Sequence, residues 1–166
     1  KGTISIDDKN ILDFENIKSL YNLIGLVPQD VFIYDDTLLN NIILNNTSSN
    51  EYDEKLLNDT LKNSELLEFV ASLENGIHTS LGESGDKISG GQKQRIGIAR
   101  CLFKKKQILI LDEATNSLDK STEEKIFNNL KKLKNEKTII VVSHDYSVID
   151  NCDSIYKIED HKVKKN

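Results

Sequence analysis

Two neighbouring carboxylates, Asp112 and Glu113, close an unbroken apolar run, Ile108-Leu109-Ile110-Leu111. A run of this kind marks a strand buried on both faces of a parallel sheet, and open α/β sheets bind their ligands beyond the carboxyl ends of such strands. Paired acids there permit a division of labour: Asp112 can hold magnesium, directly or through water, while Glu113 polarises an attacking water. An acidic strand end that merely faces solvent is the competing reading. His144 follows a second apolar run, Ile139-Ile140-Val141-Val142, and reaches the same sheet edge, where an imidazole can hydrogen-bond a terminal phosphate. Taken alone, a histidine is more often a satisfied structural residue.

A second kind of chemistry is suggested by residues 87–100, where Ser89-Gly90-Gly91-Gln92 precedes the apolar positions Ile96, Ile98, Ala99, Leu102 and Phe103. Serine is a favoured helix N-cap, and glycines let the backbone come close to a ligand. A helix entered this way points unpaired N–H groups and its positive dipole end outward, which suits phosphate. A glycine-rich turn that only caps a buried helix fits the same residues. Gln29 follows Pro28 at the end of the apolar stretch 23–27. Proline ends the strand there, and a loop glutamine can offer its amide oxygen to a metal and move with the loop, or be an ordinary surface residue.

The elements that must position these groups can be traced along the chain. Residues 2–7 alternate polar and apolar side chains like a half-buried strand. Asp13 precedes Phe14, Ile17, Leu20 and Tyr21, spaced as a short amphipathic helix. From 37 to 73 the pattern is helical: Thr37 caps Leu38, Leu39, Ile42 and Ile43, residues 45–50 form a polar loop, and Leu56, Leu57, Leu61, Leu66, Leu67 and Val70 recur at helical spacing, with Ser64 as a second cap. The reading is a small helical lobe inserted before the glycine-rich turn. Gly76, Gly82 and Gly85 then form the approach to Ser89, with His78 a loop histidine. Asp119 and Ser121 open a long helix, with Ser121 and Glu124 spaced as a capping box and Ile126, Leu130 and Leu133 as its apolar stripe. Residues 138–143 give a second buried strand, completing a strand–helix–strand unit. Residues 154–163 read as an edge hairpin carrying His161.

Composition narrows the function classes. The chain has 166 residues, 37% hydrophobic and 30% charged, with a single proline, which is a globular composition long enough for a core and a small lobe. A formal net charge of −5 argues against a nucleic-acid surface. No apolar run approaches the roughly 18 residues that a spanning helix needs. Cys101 and Cys152 are too far apart for a metal cluster and read as reduced thiols, Cys101 packed on the helix after the glycines. Methionine is absent, position 1 included, so the chain reads as an internal or C-terminal piece of a longer protein.

Gln29 after a strand, Ile88-Ser89-Gly90-Gly91-Gln92 at a helix start, the run 108–113, Asn116-Ser117-Leu118-Asp119, and His144 after a strand occur in an order that resembles the nucleotide-binding domain of ATP-binding-cassette (ABC) proteins. The resemblance implies an α/β fold, a partial P-loop NTPase (RecA-like) core with a mainly parallel sheet plus an inserted helical subdomain. It divides the chain into 1–30, core and Q-loop; 31–103, helical subdomain with signature; and 104–166, core with Walker B, D-loop and switch histidine. By it Gln29 is the Q-loop glutamine, Ser89, Gly90, Gly91 and Gln92 the signature, Asp112 and Glu113 the Walker B aspartate and catalytic glutamate, Asp119 the D-loop aspartate and His144 the switch histidine.

The implied ligands are ATP and Mg2+, the metal being held by Asp112 and Gln29. The implied partners are a second nucleotide-binding domain, paired head to tail so that each signature covers the other's ATP, and a transmembrane domain of the same transporter at the cytoplasmic face of a membrane, a bacterial inner membrane. Ala114-Thr115 after Glu113, Gly82-Glu83-Ser84-Gly85 before the signature, and Pro28-Gln29-Asp30-Val31-Phe32 resemble the exporter branch. Ile88 and Leu81 are apolar departures from the usual leucine and valine, and Thr79-Ser80 lacks an acid often found there. A soluble cassette ATPase serving DNA or the ribosome, and a non-catalytic interaction module, are the alternatives.

No Gly-x-x-x-x-Gly-Lys-Ser/Thr occurs in the chain. In the family that loop precedes the first strand seen here and supplies a lysine to the β/γ-phosphates and a hydroxyl to magnesium. The expectation is an ATPase in the intact protein and poor ATP binding with negligible hydrolysis by the 166-residue chain alone.

Overall fold

The computed structural model describes residues 2–13, 17–44, 51–149, 152–159 and 162–165. Its centre is a parallel sheet of three strands, β3 (Ile24–Val27), β4 (Ile108–Asp112) and β5 (Thr138–Val142), in that spatial order. The register aligns Val27 with Leu111 and Asp112 with Val142. Short apolar runs bounded by Pro28, Glu113 and Ser143 make strands of this length, and the parallel arrangement brings all three carboxyl ends to one rim. β4 and β5 are joined through α6 (Lys120–Lys131), which buries Ile126 and Leu130 of the expected stripe together with Phe127, while Leu133 lies beyond the end of the helix and is half-buried.

One sheet face is buried by α5 (Gly90–Phe103). Val27, Leu109 and Leu111 from the sheet, and Ile96, Ile98, Ala99 and Leu102 from α5, belong to one core. Close approach is possible because Gly25 and Gly97 lack side chains: a Cβ at Gly25 would lie 2.8 Å from Cys101 Sγ, and one at Gly97 2.8 Å from Val31 Cγ2. Cys101 is therefore packed on the helix as expected, and its burial pushes the thiol pKa up to about 11.

Among the described residues the opposite face is only partly covered. Leu26, Ile110 and Ile140 are aligned across the three strands; Leu26 and Ile140 are exposed, as is Val142 beside Asp112. Two expectations are thus corrected: β4 is central but buried on one face only, through Leu109 and Leu111, and β5 is a strand at the sheet edge with every second residue exposed.

The helical lobe consists of α2 (Leu38–Ile43), α3 (Glu54–Asn63) and α4 (Leu67–Ser72), and both α2 and α3 pack on α5. Thr37 caps α2 by accepting from Asn40 N, and Asp53 caps α3 by accepting from Leu56 N. Two expected caps are corrected. Ser64 is buried at the C-terminal end of α3 and donates its hydroxyl to the Thr60 carbonyl at 2.8 Å, so it closes one helix instead of opening the next. The Ser121–Glu124 box is displaced by Asp119, whose carboxylate already accepts from Thr122 N at 3.0 Å and starts α6 two residues earlier.

At the N-terminal end the alternation of 2–7 proves to be a hairpin. β1 (Ser5–Ile6) pairs antiparallel with β2 (Lys9–Asn10) around Asp7 and Asp8, both at positive φ. A short α1 (Ile17–Leu23) leads into β3. After β5 come α7 (Tyr146–Ile149) and the expected hairpin, β6 (Tyr156–Glu159) with β7 (Lys162–Lys165). Phe14, the polar stretch 45–50 and His161 lie outside the described residues. Among the described residues, no helix is long and apolar enough to cross a membrane.

Candidate functional site

Glu113 is the first residue beyond β4 and stands at φ +49°, a left-handed conformation that costs a residue with a Cβ about 1 kcal/mol or more. Several bonds hold it there. Its N–H donates to the Val142 carbonyl at 3.0 Å, and its carbonyl accepts from Asn116 N at 3.3 Å. The left-handed turn brings the carboxylate between two side chains: His144 Nδ1 lies 3.4 Å from Oε1, and Asn116 Nδ2 donates to Oε2 at 3.0 Å. His144 is 76% exposed and Glu113 31%. One residue is therefore half-sheltered and oriented, while the other projects from the rim toward solvent.

Asp112 is exposed at the last position of β4, and Gln29 is exposed two residues beyond the end of β3. Because β3 and β4 are adjacent and parallel, both belong to the same rim as Glu113 and His144. Among the described residues there is no group of three or more histidine, cysteine or acidic side chains that could hold a metal. Asp112 offers a carboxylate and Gln29 an amide oxygen, both of the hard-oxygen type that suits magnesium.

The start of α5 is built as the sequence suggests and more tightly. Ser89 Oγ accepts from Gln92 N at 3.2 Å, and Gln92 Oε1 accepts from Ser89 N at 2.7 Å, a reciprocal capping box that the sequence reading missed. The amide oxygen of Gln92 is thus committed to the helix start, and the exposed Ser89 hydroxyl acts there as an acceptor, which leaves its own proton for donation. Ser89 and Gly90 are exposed; Gly91 is buried against the turn after Glu113, where an added Cβ would meet the Ser117 carbonyl oxygen at 2.8 Å. Asp119 ends that turn as the N-cap of α6, and its hydrogen bonds from Thr122 and neighbouring backbone hold its carboxyl below the usual range. The rim acids, the turn and the glycine-flanked serine are one contiguous construction.

Two further side chains take part that were not assigned roles from the sequence. Gln94, buried within α5, accepts from Ser117 N through Oε1 at 3.0 Å and directs Nε2 at the Glu113 carbonyl, 3.5 Å away. Its signal was spacing: it shares a helix face with Ile98 and Cys101, four and seven positions on, where a polar residue is out of place. Arg100 anchors the segment after Gln29, donating to the Phe32 carbonyl at 2.6 Å and to the Asn41 carbonyl and Oδ1 at 2.7 and 2.8 Å. Asn41, fully buried, also exchanges hydrogen bonds with the Tyr34 backbone at 2.9 and 3.0 Å. Phe32 and Tyr34, both exposed, lie edge to face at 5.0 Å beside this clamp.

Comparison with known proteins gives this arrangement a context. A family model described as ABC transporter matches residues 1–116. The chain belongs to the ABC transporter family. It is 39% identical over 165 residues, 99% of its length, to an ATP-dependent lipid A-core flippase of Pasteurella multocida, and 41% identical over 165 residues to the flippase of that name from Francisella novicida. Among solved structures it superposes with a TM-score of 0.85 on a bacterial Atm1-family ABC exporter with ATP bound, at 35% identity over 94% of the chain. The chain spans 28% of the Pasteurella protein, 27% of the Francisella protein and 27% of the exporter chain. The α/β fold expected of this family, with a parallel sheet and an attached set of helices, is the one observed.

Proposed function

We propose that this chain is the ATP-hydrolysing portion of an ABC exporter, in which ATP closes two such domains head to tail and thereby drives transport through a membrane domain. The observation that carries the reading is the seating of Glu113 between His144 and Asn116 at the rim shared with Asp112 and Gln29. A carboxylate hydrogen-bonded by Asn116 and lying 3.4 Å from the His144 imidazole at a strand end is pre-oriented to receive a proton from a water that attacks the terminal phosphate.

The roles follow from what each group can do. Glu113 orients the water and takes its proton, and His144, projecting beyond it, hydrogen-bonds the γ-phosphate. Asp112 and Gln29 would hold Mg2+, which when bound neutralises phosphate charge. The free proton of the Ser89 hydroxyl and the N-terminal dipole of α5 are presented outward to a triphosphate supplied from a second copy, so each domain completes its partner's site. Gly91 is buried, so in this reading it sets the approach of α5 to the turn at Ser117, and contact with the partner's phosphate falls to Ser89 and Gly90. Movement of the Gln29 loop passes through the Asn41–Arg100 clamp to Phe32 and Tyr34, the exposed aromatic pair suited to meet a membrane domain.

The reading is tested in the intact transporter with Glu113→Gln. The expected result is ATP turnover reduced at least about 10²-fold with ATP binding retained and the two domains trapped together, because the amide cannot accept the proton. Unchanged turnover would remove Glu113 from this role.

A further inference from the structure

Gln94 satisfies two demands at once that no other described side chain shares. It sits within α5, one turn after Gly91, and is 3% exposed. Its amide oxygen takes the Ser117 N–H at 3.0 Å, and its amide nitrogen faces the Glu113 carbonyl at 3.5 Å. The carbonyl belongs to the residue held at φ +49°, and Ser117 lies in the turn that leads to Asp119. An unfavourable backbone conformation persists only where its surroundings over-determine it. Around Glu113 the determinants are the Val142 carbonyl, the Asn116 N–H and Gln94. The first two come from β5 and from the turn itself; Gln94 alone comes from the helix whose N-terminal end carries Ser89.

Resting on the ATPase reading above, we infer that Gln94 is a positioning residue for hydrolysis: it fixes the left-handed backbone of Glu113, and with it the aim of the carboxylate, to the position of the helix that presents Ser89. Ser89 faces a phosphate from outside the domain, whereas Glu113 serves the domain's own rim. A shift of α5 when its N-terminal end engages that phosphate is passed through the rigid helix and the Gln94 amide to the Glu113 carbonyl. The amide suits this task because it is planar and carries one acceptor and one donor end, so it bridges an N–H and a C=O that face the same helix. It also explains a polar residue on the buried face of α5: an apolar residue there would leave the Ser117 N–H without this partner.

The test compares Gln94→Met and Gln94→Glu with the wild type and with Glu113→Gln, all in the intact transporter. Methionine keeps the length and fills the space but removes both bonds. Glutamate keeps the acceptor for Ser117 N and sets an oxygen against the Glu113 carbonyl. The expected result is a fall in kcat of about 10-fold or more in both variants, with KM for ATP and nucleotide-dependent thermal protection within about twofold of wild type. A merely structural residue would move stability and KM together with kcat. The inference is overturned if either variant turns over ATP within twofold of wild type while Glu113→Gln is inactive, or if neither variant folds. If Glu113→Gln is itself active, it is the ATPase assignment that fails, and the two failures are told apart.

Discussion

His144 Nδ1 lies 3.4 Å from Glu113 Oε1, and the two residues reach each other from the ends of adjacent parallel strands. Replacing His144 with alanine in the intact transporter is expected to lower kcat by about 10- to 100-fold, since both the orientation of the carboxylate and a phosphate contact are lost. Asn116→Ala removes only the bond to Oε2 and is expected to cost less, about 3- to 10-fold. Steady-state ATPase assays rank the pair; a larger effect at Asn116 than at His144 would contradict the assignment.

The glycines at the start of α5 are expected to differ in tolerance. A Cβ on Gly91 meets the Ser117 backbone oxygen at 2.8 Å, whereas one on Gly90 comes to 3.2 Å from the movable Ser117 hydroxyl. Gly91→Ala should therefore destabilise by about 1–3 kcal/mol, the range for overpacking, and Gly90→Ala by much less. Thermal melts of the two variants give the comparison directly.

Cys101 predicts an alkaline limit. Its folded pKa is raised to about 11 by burial, above the ordinary thiol value near 9. The stabilisation that comes from burying the neutral thiol is fully present below pH ~9 and is lost as pH rises toward about 11. A two-unit shift corresponds to roughly 3 kcal/mol at most. Chemical denaturation across this window should show a downward slope that flattens in Cys101→Ala. In the native state at neutral pH, a thiol reagent should label exposed Cys152 and spare buried Cys101.

Asp119 predicts the opposite arm. Hydrogen bonds from Thr122 lower its folded pKa, so its contribution is complete above the unfolded carboxylate value and disappears as pH falls through the folded one. Asp119→Asn retains a cap but removes the titration, and its melting temperature is expected to vary less with pH in that acidic range than the wild type's.

The 166-residue chain by itself contains no Gly-x-x-x-x-Gly-Lys-Ser/Thr motif. Isothermal titration of the isolated chain with Mg·ATP is expected to give no micromolar binding, because no lysine and hydroxyl of that loop meet the phosphates. Micromolar affinity would show that the residues present suffice.

Those elements that are set by local chemistry were the ones the sequence revealed. Ser89 before two glycines is the cap it was expected to be, and the run 108–111 ending in Asp112 is a strand as expected, though one buried on a single face, through Leu109 and Leu111. Ser64 and Ser121 do not cap as their spacing suggests because a cap is decided by competition: Thr60 offers Ser64 a closer acceptor, and Asp119 caps α6 first. The turn that ends the alternation of residues 2–7 leaves no glycine signal, since Asp7 and Asp8 take positive φ in its place. The order and types of the rim residues were legible, but the partners of Glu113 were not: Asn116 reaches it across a turn and Gln94 across nineteen positions, and neither distance leaves a period in the sequence.

The partly covered face of the sheet sets a practical condition on every experiment with this chain alone. Leu26, Ile110 and Ile140, with Val142 beside them, form a greasy band across three strands. Water meets that band in a dilute solution, and copies that meet face to face can shield it. Preparations should clump as concentration rises, and a double change such as Leu26→Thr with Ile140→Thr should keep them dispersed in light scattering while leaving the rim untouched.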